Sequence, residues 1–292
     1  MSDTLILGKN GQLARSIALL PQSRNFQFCG SAELDLTNTS EIQNKLKQIQ
    51  PRNIINCASY NNVEKAEDLT SDNIKINVLA IRELVSYCKK TDCNLIHVST
   101  DYVFDGTKNS NYNEDDVTNP INEYGKAKLN GENEIRSKLT NFFIVRTSWL
   151  YSEFKQDTNF LHKMLGQIVK GKDTYGAIDL YGSPTYSANL ADIILSLYNK
   201  GKQCGFIGKT FHYSDHGRIS RFEFIKKIIE CATKSGYNSN LIEIDSHYFK
   251  TLAKRPISTS LDSSKILNFL NARKLTWEIS LERAVQNYIE GL

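Results

Sequence analysis

Thr4-Leu-Ile-Leu7, followed by Gly8-Lys-Asn-Gly11-Gln-Leu-Ala14 and a helical run from Arg15 to Leu20, opens the chain and decides its class. The apolar run reads as a short strand. Glycine at 8 allows a tight turn, glycine at 11 lets the backbone approach a pyrophosphate, and the small Ala14 lets the helix pack close to the strand. The helix N-terminus then offers free N–H groups to phosphate oxygens. The Gly-x-x-Gly-x-x-Ala spacing departs from the Gly-x-Gly-x-x-Gly of ordinary dehydrogenases. Its place between an N-terminal strand and a helix makes it a dinucleotide loop rather than a plain glycine turn.

The same alternation continues outward. Phe26–Gly30 reads as a second strand, with Glu33-Leu-Asp35-Leu36 just beyond it, and Asn53–Ala58 as a third, with Ser59-Tyr60-Asn61 at its carboxyl end. Asn94–Val98 is a fourth strand that delivers Ser99, Thr100 and Asp101 to its tip, and Phe142–Thr147 is a fifth. Between them, Ser40-x-x-Gln43 opens a helix as a capping box, Ile74–Lys90 forms another, and Glu123–Arg136 a third. Repeated strand–helix units predict an α/β fold of Rossmann type, a doubly wound parallel sheet. Ligands of such sheets sit outside the carboxyl ends of the strands, so these tips converge on one site. Asp35 would there meet an adenine edge, or else serve as a local cap.

After the fifth strand the rhythm breaks. Thr158–Gly171 and Arg221–Ser235 read as helices separated by irregular stretches. The expected division is a dinucleotide-binding domain over residues 1–149, to which 187–212 return, and a smaller substrate-binding lobe drawn mainly from 150–292. No Pro/Gly/Ser linker separates them, so a shared interface is expected.

Composition is that of an ordinary globular chain: 292 residues, 40% hydrophobic and 23% charged, with a formal net charge of +4. Acids and bases are interspersed, which argues against a nucleic-acid binder and suits an anionic small substrate. No 18-residue apolar run could cross a membrane, and no basic-then-apolar leader precedes the first strand. Six cysteines without a Cys-x-x-Cys pair read as buried free thiols of a reducing cytoplasm. No cluster completes a metal site, so none is assigned.

Chemistry enters with Thr118-Asn-Pro-Ile-Asn-Glu-Tyr124-Gly-Lys-Ala-Lys128, preceded by Ser99-Thr100-Asp101-Tyr102. Tyr124 and Lys128 share one helix face, a turn apart. A nearby ammonium favours the phenolate and lowers its pKa, making Tyr124 a proton donor to a carbonyl oxygen that Thr100 can also hydrogen-bond. At the end of the second strand, Gly30-Ser31 stand where an acid would grip a ribose hydroxyl; its absence tolerates a 2′-phosphate and modestly favours NADPH over NADH. Arg15 either meets that phosphate or is a solvated helix residue.

From these residues the chain resembles the extended short-chain dehydrogenases, and within them the dTDP-4-dehydrorhamnose reductases. The motifs carrying the likeness are GKNGQLA at 8–14, NCASYNNVEKAE at 56–67, STDYVFDG at 99–106, TNPINEYGKAK at 118–128, RTSWLY at 146–151, YGSPTYSANLA at 181–191 and KRPISTSLDSSK at 254–265. The resemblance implies NAD(P)H-dependent reduction of the C4 keto group of dTDP-4-dehydro-L-rhamnose to dTDP-L-rhamnose. It implies Tyr124 as proton donor, Lys128 on the nicotinamide ribose, and Thr100 assisting at the carbonyl. Cofactor contacts map to Gly8, Asn10, Gly11, Gln12, Leu13, Asp35, Leu36, Ser59, Tyr60 and Asn61. Substrate contacts map to Asp101 and Trp149, with Val63 and Tyr102 walling the sugar pocket and Arg255 of the KRP segment facing the diphosphate. Two relatives on the same fold give alternatives: an NAD-dependent sugar-nucleotide epimerase, and a non-catalytic partner-binding module like the β subunit of methionine adenosyltransferase. Some members bridge subunits through Mg²⁺ held by glutamates. Here Ser16 and Tyr186-Ser187-Ala188 occupy those places, so a monomer or an unbridged homodimer is expected. The glycine that usually follows RTSW-x-Y is also missing.

Overall fold

A computed structural model describes residues 3–68, 72–155, 159–273 and 275–291. Its centre is a parallel sheet built from β1 (Thr4–Leu7), β2 (Gln27–Cys29), β3 (Asn53–Asn56), β4 (Asn94–Thr100), β5 (Phe142–Thr147) and a sixth strand, Lys209–His212. The sixth strand lies on one edge, followed in order by β5, β4, β3, β1 and β2. The chain therefore reverses direction across the sheet at β1, between β2 and β3. The carboxyl ends at that reversal are where an open α/β sheet binds its ligand.

The strands are apolar and buried on both faces, as parallel strands under two helical layers must be. On one face, helices α1 (Gln12–Ala18), α7 (Ser187–Cys204) and α9 (Ser264–Leu270) cover Ile6, Ile55, Phe143 and Val145. On the other, α2 (Thr39–Ile49), α4 (Ala80–Thr91) and α5 (Glu123–Lys138) cover Leu5, Leu7, Ile54 and Ile144. A third core lies apart from the sheet, where α6 (Phe160–Ile168), α8 (Arg221–Thr233) and α10 (Trp277–Glu290) enclose Tyr151, Phe224 and Leu281. Short ladders, Thr174–Ala177 with Leu241–Ile244 and Leu150–Tyr151 with Thr185–Tyr186, tie this part together.

Several local expectations change. The second helix starts at Thr39 after Asn38, whose side chain accepts no helix backbone N–H. Ser40 Oγ donates to Asn38 Oδ1, and Gln43 Nε2 donates to the Glu83 carbonyl at 2.7 Å, so a local contact takes up one half of the expected capping box and a tertiary contact the other. The helix expected over 74–90 carries a π-turn at Lys75–Leu79 before α4. The start expected at Thr158 lies outside the described residues, and α6 is described from Phe160. Of the six cysteines, four are buried; Cys204 is exposed and Cys57 half-buried.

Candidate active site

The strand tips and the third core enclose a cavity of ≈ 710 Å³. Gly8 stands at its head with φ +85°, and a Cβ there would come within 2.8 Å of the Ala58 nitrogen, so only glycine fits. Gly11 caps α1 without a side-chain bond and no acid lies in the first turn, which leaves first-turn N–H groups available to an anion. Gly8, Asn10, Gly11, Gln12, Leu13, Asp35, Leu36, Ser59 and Asn61 all line the cavity. Tyr60 does not: its carbonyl accepts from Asn77 Nδ2 at 2.9 Å. Asp35 lines the cavity while its Oδ1 accepts from the Thr37 nitrogen and hydroxyl, so it is a turn cap at the cavity wall. Arg15 stacks on Phe154 at 4.0 Å and is not a lining residue.

Tyr124 enters from the first turn of α5. Asn122 caps that helix, accepting from the Gly125 nitrogen at 2.8 Å. Gly125 lets the turn press onto β4's tip, since a Cβ there would meet the Tyr102 carbonyl at 2.2 Å. The Tyr124 and Tyr102 rings lie edge to face, 5.9 Å apart. Burial pushes the Tyr124 phenol up to about 12; the hydroxyls of Thr100 and Ser59 beside it oppose that rise. Thr100 has one proton to give, and turns it to Asp101 Oδ1 at 3.0 Å or to the phenol. Asp101 also accepts from Ser148 Oγ at 2.8 Å, and burial raises its pKa.

Lys128 differs from expectation. Its ammonium donates to the Val98 carbonyl at 2.8 Å and lies 3.3 Å from His97 Nε2, on β4 rather than on the phenol. Thr100 and Ser59, not Lys128, are therefore the groups that temper Tyr124. Asn56 Oδ1 accepts from the Ala58 nitrogen, which turns Asn56 Nδ2 toward His97 Nδ1 at 3.1 Å. Nδ1 is thereby an acceptor, and the proton of the neutral ring sits on Nε2, facing Lys128. Burial pulls the Lys128 ammonium down to about 8, with Glu132 and Cys57 acting the other way.

Val63, Tyr102, Asp101 and Trp149 all line the cavity. Trp149 is held at φ +43°, a strained backbone for a large side chain, and a Cβ at Gly182 would collide with its ring. Arg255 is not a lining residue; it pairs with Glu64 at 2.9 Å and lies beside the Tyr102 hydroxyl.

The family model described as the RmlD substrate binding domain matches residues 1–290. The dTDP-4-dehydrorhamnose reductase of Aggregatibacter actinomycetemcomitans is 32% identical, over 99% of this chain and 100% of its own. The chain belongs to the dTDP-4-dehydrorhamnose reductase family. A structure of dTDP-4-dehydrorhamnose reductase from Bacillus anthracis in complex with NADP superposes with a TM-score of 0.87 at 32% identity, covering 99% of this chain and 100% of that one. The dTDP-4-keto-6-deoxy-D-glucose reductase of Streptomyces niveus is 34% identical over 75% of this chain and 77% of its own.

Two residues that build this family member's site, one behind the cavity wall and one on it, escaped sequence reading. Asn77, inside the π-turn, accepts from Ser59 Oγ at 3.0 Å and so fixes the β3 tip. A polar side chain on the apolar stripe of Ile74–Lys90 was its signal, and π-turns favour functional sites. Arg221 lines the cavity from the start of α8. Its signal was weaker: a cation directly after a helix-capping serine. Ser16 and Ser187 hydrogen-bond each other at 2.7 Å. Among the described residues, no group of three or more His, Cys, Asp or Glu gathers as a metal site, and no helix is long and apolar enough to cross a membrane.

Proposed function

We propose that this chain is an NAD(P)H-dependent reductase of the C4 keto group of dTDP-4-dehydro-L-rhamnose, yielding dTDP-L-rhamnose. The observation that carries this reading is the meeting of Thr100, Tyr124 and Lys128 with the Gly8–Leu13 loop in one cavity. A dinucleotide suits that cavity because the glycine turn and the uncapped first turn of α1 offer N–H donors without a competing carboxylate. Gly8, Asn10, Gly11, Gln12, Leu13, Asp35, Leu36, Ser59 and Asn61 would hold it, with Lys128 on the nicotinamide ribose. Bound there in reduced form, the nicotinamide supplies hydride.

Tyr124 gives the proton to the C4 oxygen as negative charge grows on it, and Thr100 donates a hydrogen bond to the same oxygen. Tyr124's raised pKa keeps the phenol protonated and ready to donate at neutral pH. Asp101, Val63, Tyr102 and Trp149 shape the wall against the sugar. The nucleotide end supplies remote binding energy that orients the keto group.

Residues 1–149 with 187–212 form the dinucleotide-binding part in this reading, and 150–292 supply most of the substrate lobe. At the β2 tip, Glu33 Oε2 accepts from the Gly30 nitrogen and its other oxygen pairs with Lys9 at 2.8 Å. An acid thus reaches the tip from three residues on, already neutralised by Lys9. This keeps NADPH modestly ahead of NADH. The protein works in the cytoplasm as a monomer or a homodimer without a bridging metal.

The test is oxidation of NADPH with dTDP-4-dehydro-L-rhamnose, run beside dTDP-4-keto-6-deoxy-D-glucose and the GDP- and UDP-keto sugars. Turnover of free NADPH separates the reductase from an epimerase that recycles bound NAD⁺. Turnover without any partner chain separates it from a regulatory subunit. Absence of NADPH oxidation with every keto sugar would overturn the reading.

A further inference from the structure

Among the described residues lining the cavity, the cations are Lys128 and Arg221. The chemistry above leaves Arg221 without a task. It is the first residue of α8, inside the Ser220–Glu223 capping box, so its backbone is fixed by the second lobe. Its guanidinium carbon stacks 3.4 Å from the Trp149 ring centroid and lies 4.5 Å from that of Phe160. Stacking uses the face of a guanidinium and leaves its N–H edge free to donate.

Nothing among the described residues takes that edge. Arg221 has no ion pair and no side-chain hydrogen bond there. The carboxylate whose charge it feels, Asp101, is engaged by Ser148 and Thr100. Burial pulls Arg221 down to about 10, and the neighbouring Arg255 adds repulsion. Arg255, by contrast, is already neutralised by Glu64. A half-buried guanidinium braced on an indole, facing a cavity and lacking an anion, is a site prepared for one.

We infer that Arg221 reads the diphosphate of the nucleotide sugar, gripping phosphate oxygens with the free edge of a guanidinium that Trp149 holds in plane. This rests on the nucleotide-sugar reading of the cavity. Placement agrees with it. In a nucleotide sugar the diphosphate hangs on C1, across the ring from C4. Tyr124 marks the C4 oxygen, its ring lies 5.9 Å from that of Tyr102, and Tyr102 in turn feels the charges of Arg255 and Arg221. Tyr124, Tyr102 and Arg221 line one cavity, so a single sugar nucleotide can meet both the proton donor and the arginine. The planar fork suits two phosphate oxygens at once, and partial burial strengthens the pairing. The strained backbone of Trp149 then acquires a purpose: it presents the indole as the platform for the arginine.

The test is calorimetric titration of the full chain with thymidine diphosphate, beside thymidine, which lacks the charge. Arg221→Gln, Arg221→Lys and Arg255→Ala are compared with the wild type, and NADPH affinity is measured on each preparation. Arg221→Gln should weaken thymidine diphosphate binding roughly 10- to 100-fold, the range for losing charge-assisted hydrogen bonds. Its affinity for thymidine and NADPH should stay within about twofold of the wild type. Arg221→Lys, keeping charge without the fork, should recover only part of the loss. Unchanged thymidine diphosphate affinity in Arg221→Gln overturns the assignment, as does a loss found in Arg255→Ala instead. Parallel loss of NADPH affinity in both Arg221 variants also overturns it, by making Arg221 a brace between lobes. If the wild type itself ignores thymidine diphosphate, the nucleotide-sugar reading fails first.

Discussion

Tyr124 and Lys128 sit one helical turn apart, yet the structure gives them separate surroundings. Tyr124 faces Thr100 and Ser59, and Lys128 faces β4 through Val98 and His97. Their spacing was legible because a helix fixes which side chains share a face. Their partners were not, since they come from β3 and β4 through contacts that no local pattern encodes. Tyr124→Phe keeps the ring packing but removes the proton, so kcat should fall about 10²–10⁴-fold with cofactor affinity nearly intact. Retention of most turnover would end the assignment. Lys128 makes a pH-dependent prediction. Its pKa is lowered to about 8, with burial the leading cause, so the free enzyme loses the ammonium as pH rises through that value. His97 faces it from β4, Cys57 from the end of β3 and Glu132 from its own helix. The kcat/KM for NADPH should therefore decline above about pH 8, not near the ordinary lysine value, and Lys128→Met should abolish that limb. A profile flat to pH 10 would remove the ammonium from cofactor binding.

At the scale of elements, α5 carries Tyr124 and Lys128, and a buried ion pair ties it to β5. Glu132, two turns beyond Tyr124, accepts from Arg146 of β5 at 2.7 Å, and both are buried. Arg146 also stacks near Phe104 and faces His212 of the sixth strand. The helix and its strand were both legible from pattern, but nothing local marks the glutamate and arginine as partners; only the fold brings them together. Burial raises the Glu132 carboxyl, but Arg146, together with Arg136 and the Ser99 hydroxyl, outweighs it and holds the pKa at about 2. The sign follows from that depression: the stabilisation is fully present above the ordinary glutamate value and is lost as pH falls toward 2. Glu132→Gln leaves Arg146 buried without its counter-charge and should cost about 3–5 kcal/mol in urea unfolding at neutral pH. The deficit should shrink in acid, where the wild type loses the same charge. A loss under about 1 kcal/mol would show that Arg146 finds another acceptor.

At the scale of the whole molecule, function lies where two cores meet. The sheet supplies its carboxyl edge, and the α6–α8–α10 core supplies Arg221. The sheet half was legible because parallel strands and their helices repeat, and one glycine loop marks where they bind. The second half offered no repeat. Its side chains reach the cavity from segments such as Trp149 and Arg221, far apart in sequence, whose approach depends on the packing of the third core. A ligand held by the first part and closed over by the second should stabilise the whole chain. NADPH at 100 times its Kd adds about 2.7 kcal/mol, which at roughly 2–4 °C per kcal/mol raises Tm by several degrees. The β2 tip decides how far that shift depends on the 2′-phosphate. Ser31 lines the cavity beside Gly30, where Lys9 already neutralises Glu33. Ser31→Asp adds a carboxylate that Lys9 cannot also offset, so it should shrink the thermal shift from NADPH and leave that from NADH nearly whole. Equal loss with both cofactors would mean the substitution damages the β2 turn itself. An unchanged NADPH shift would mean that the 2′-phosphate is read elsewhere along the cavity.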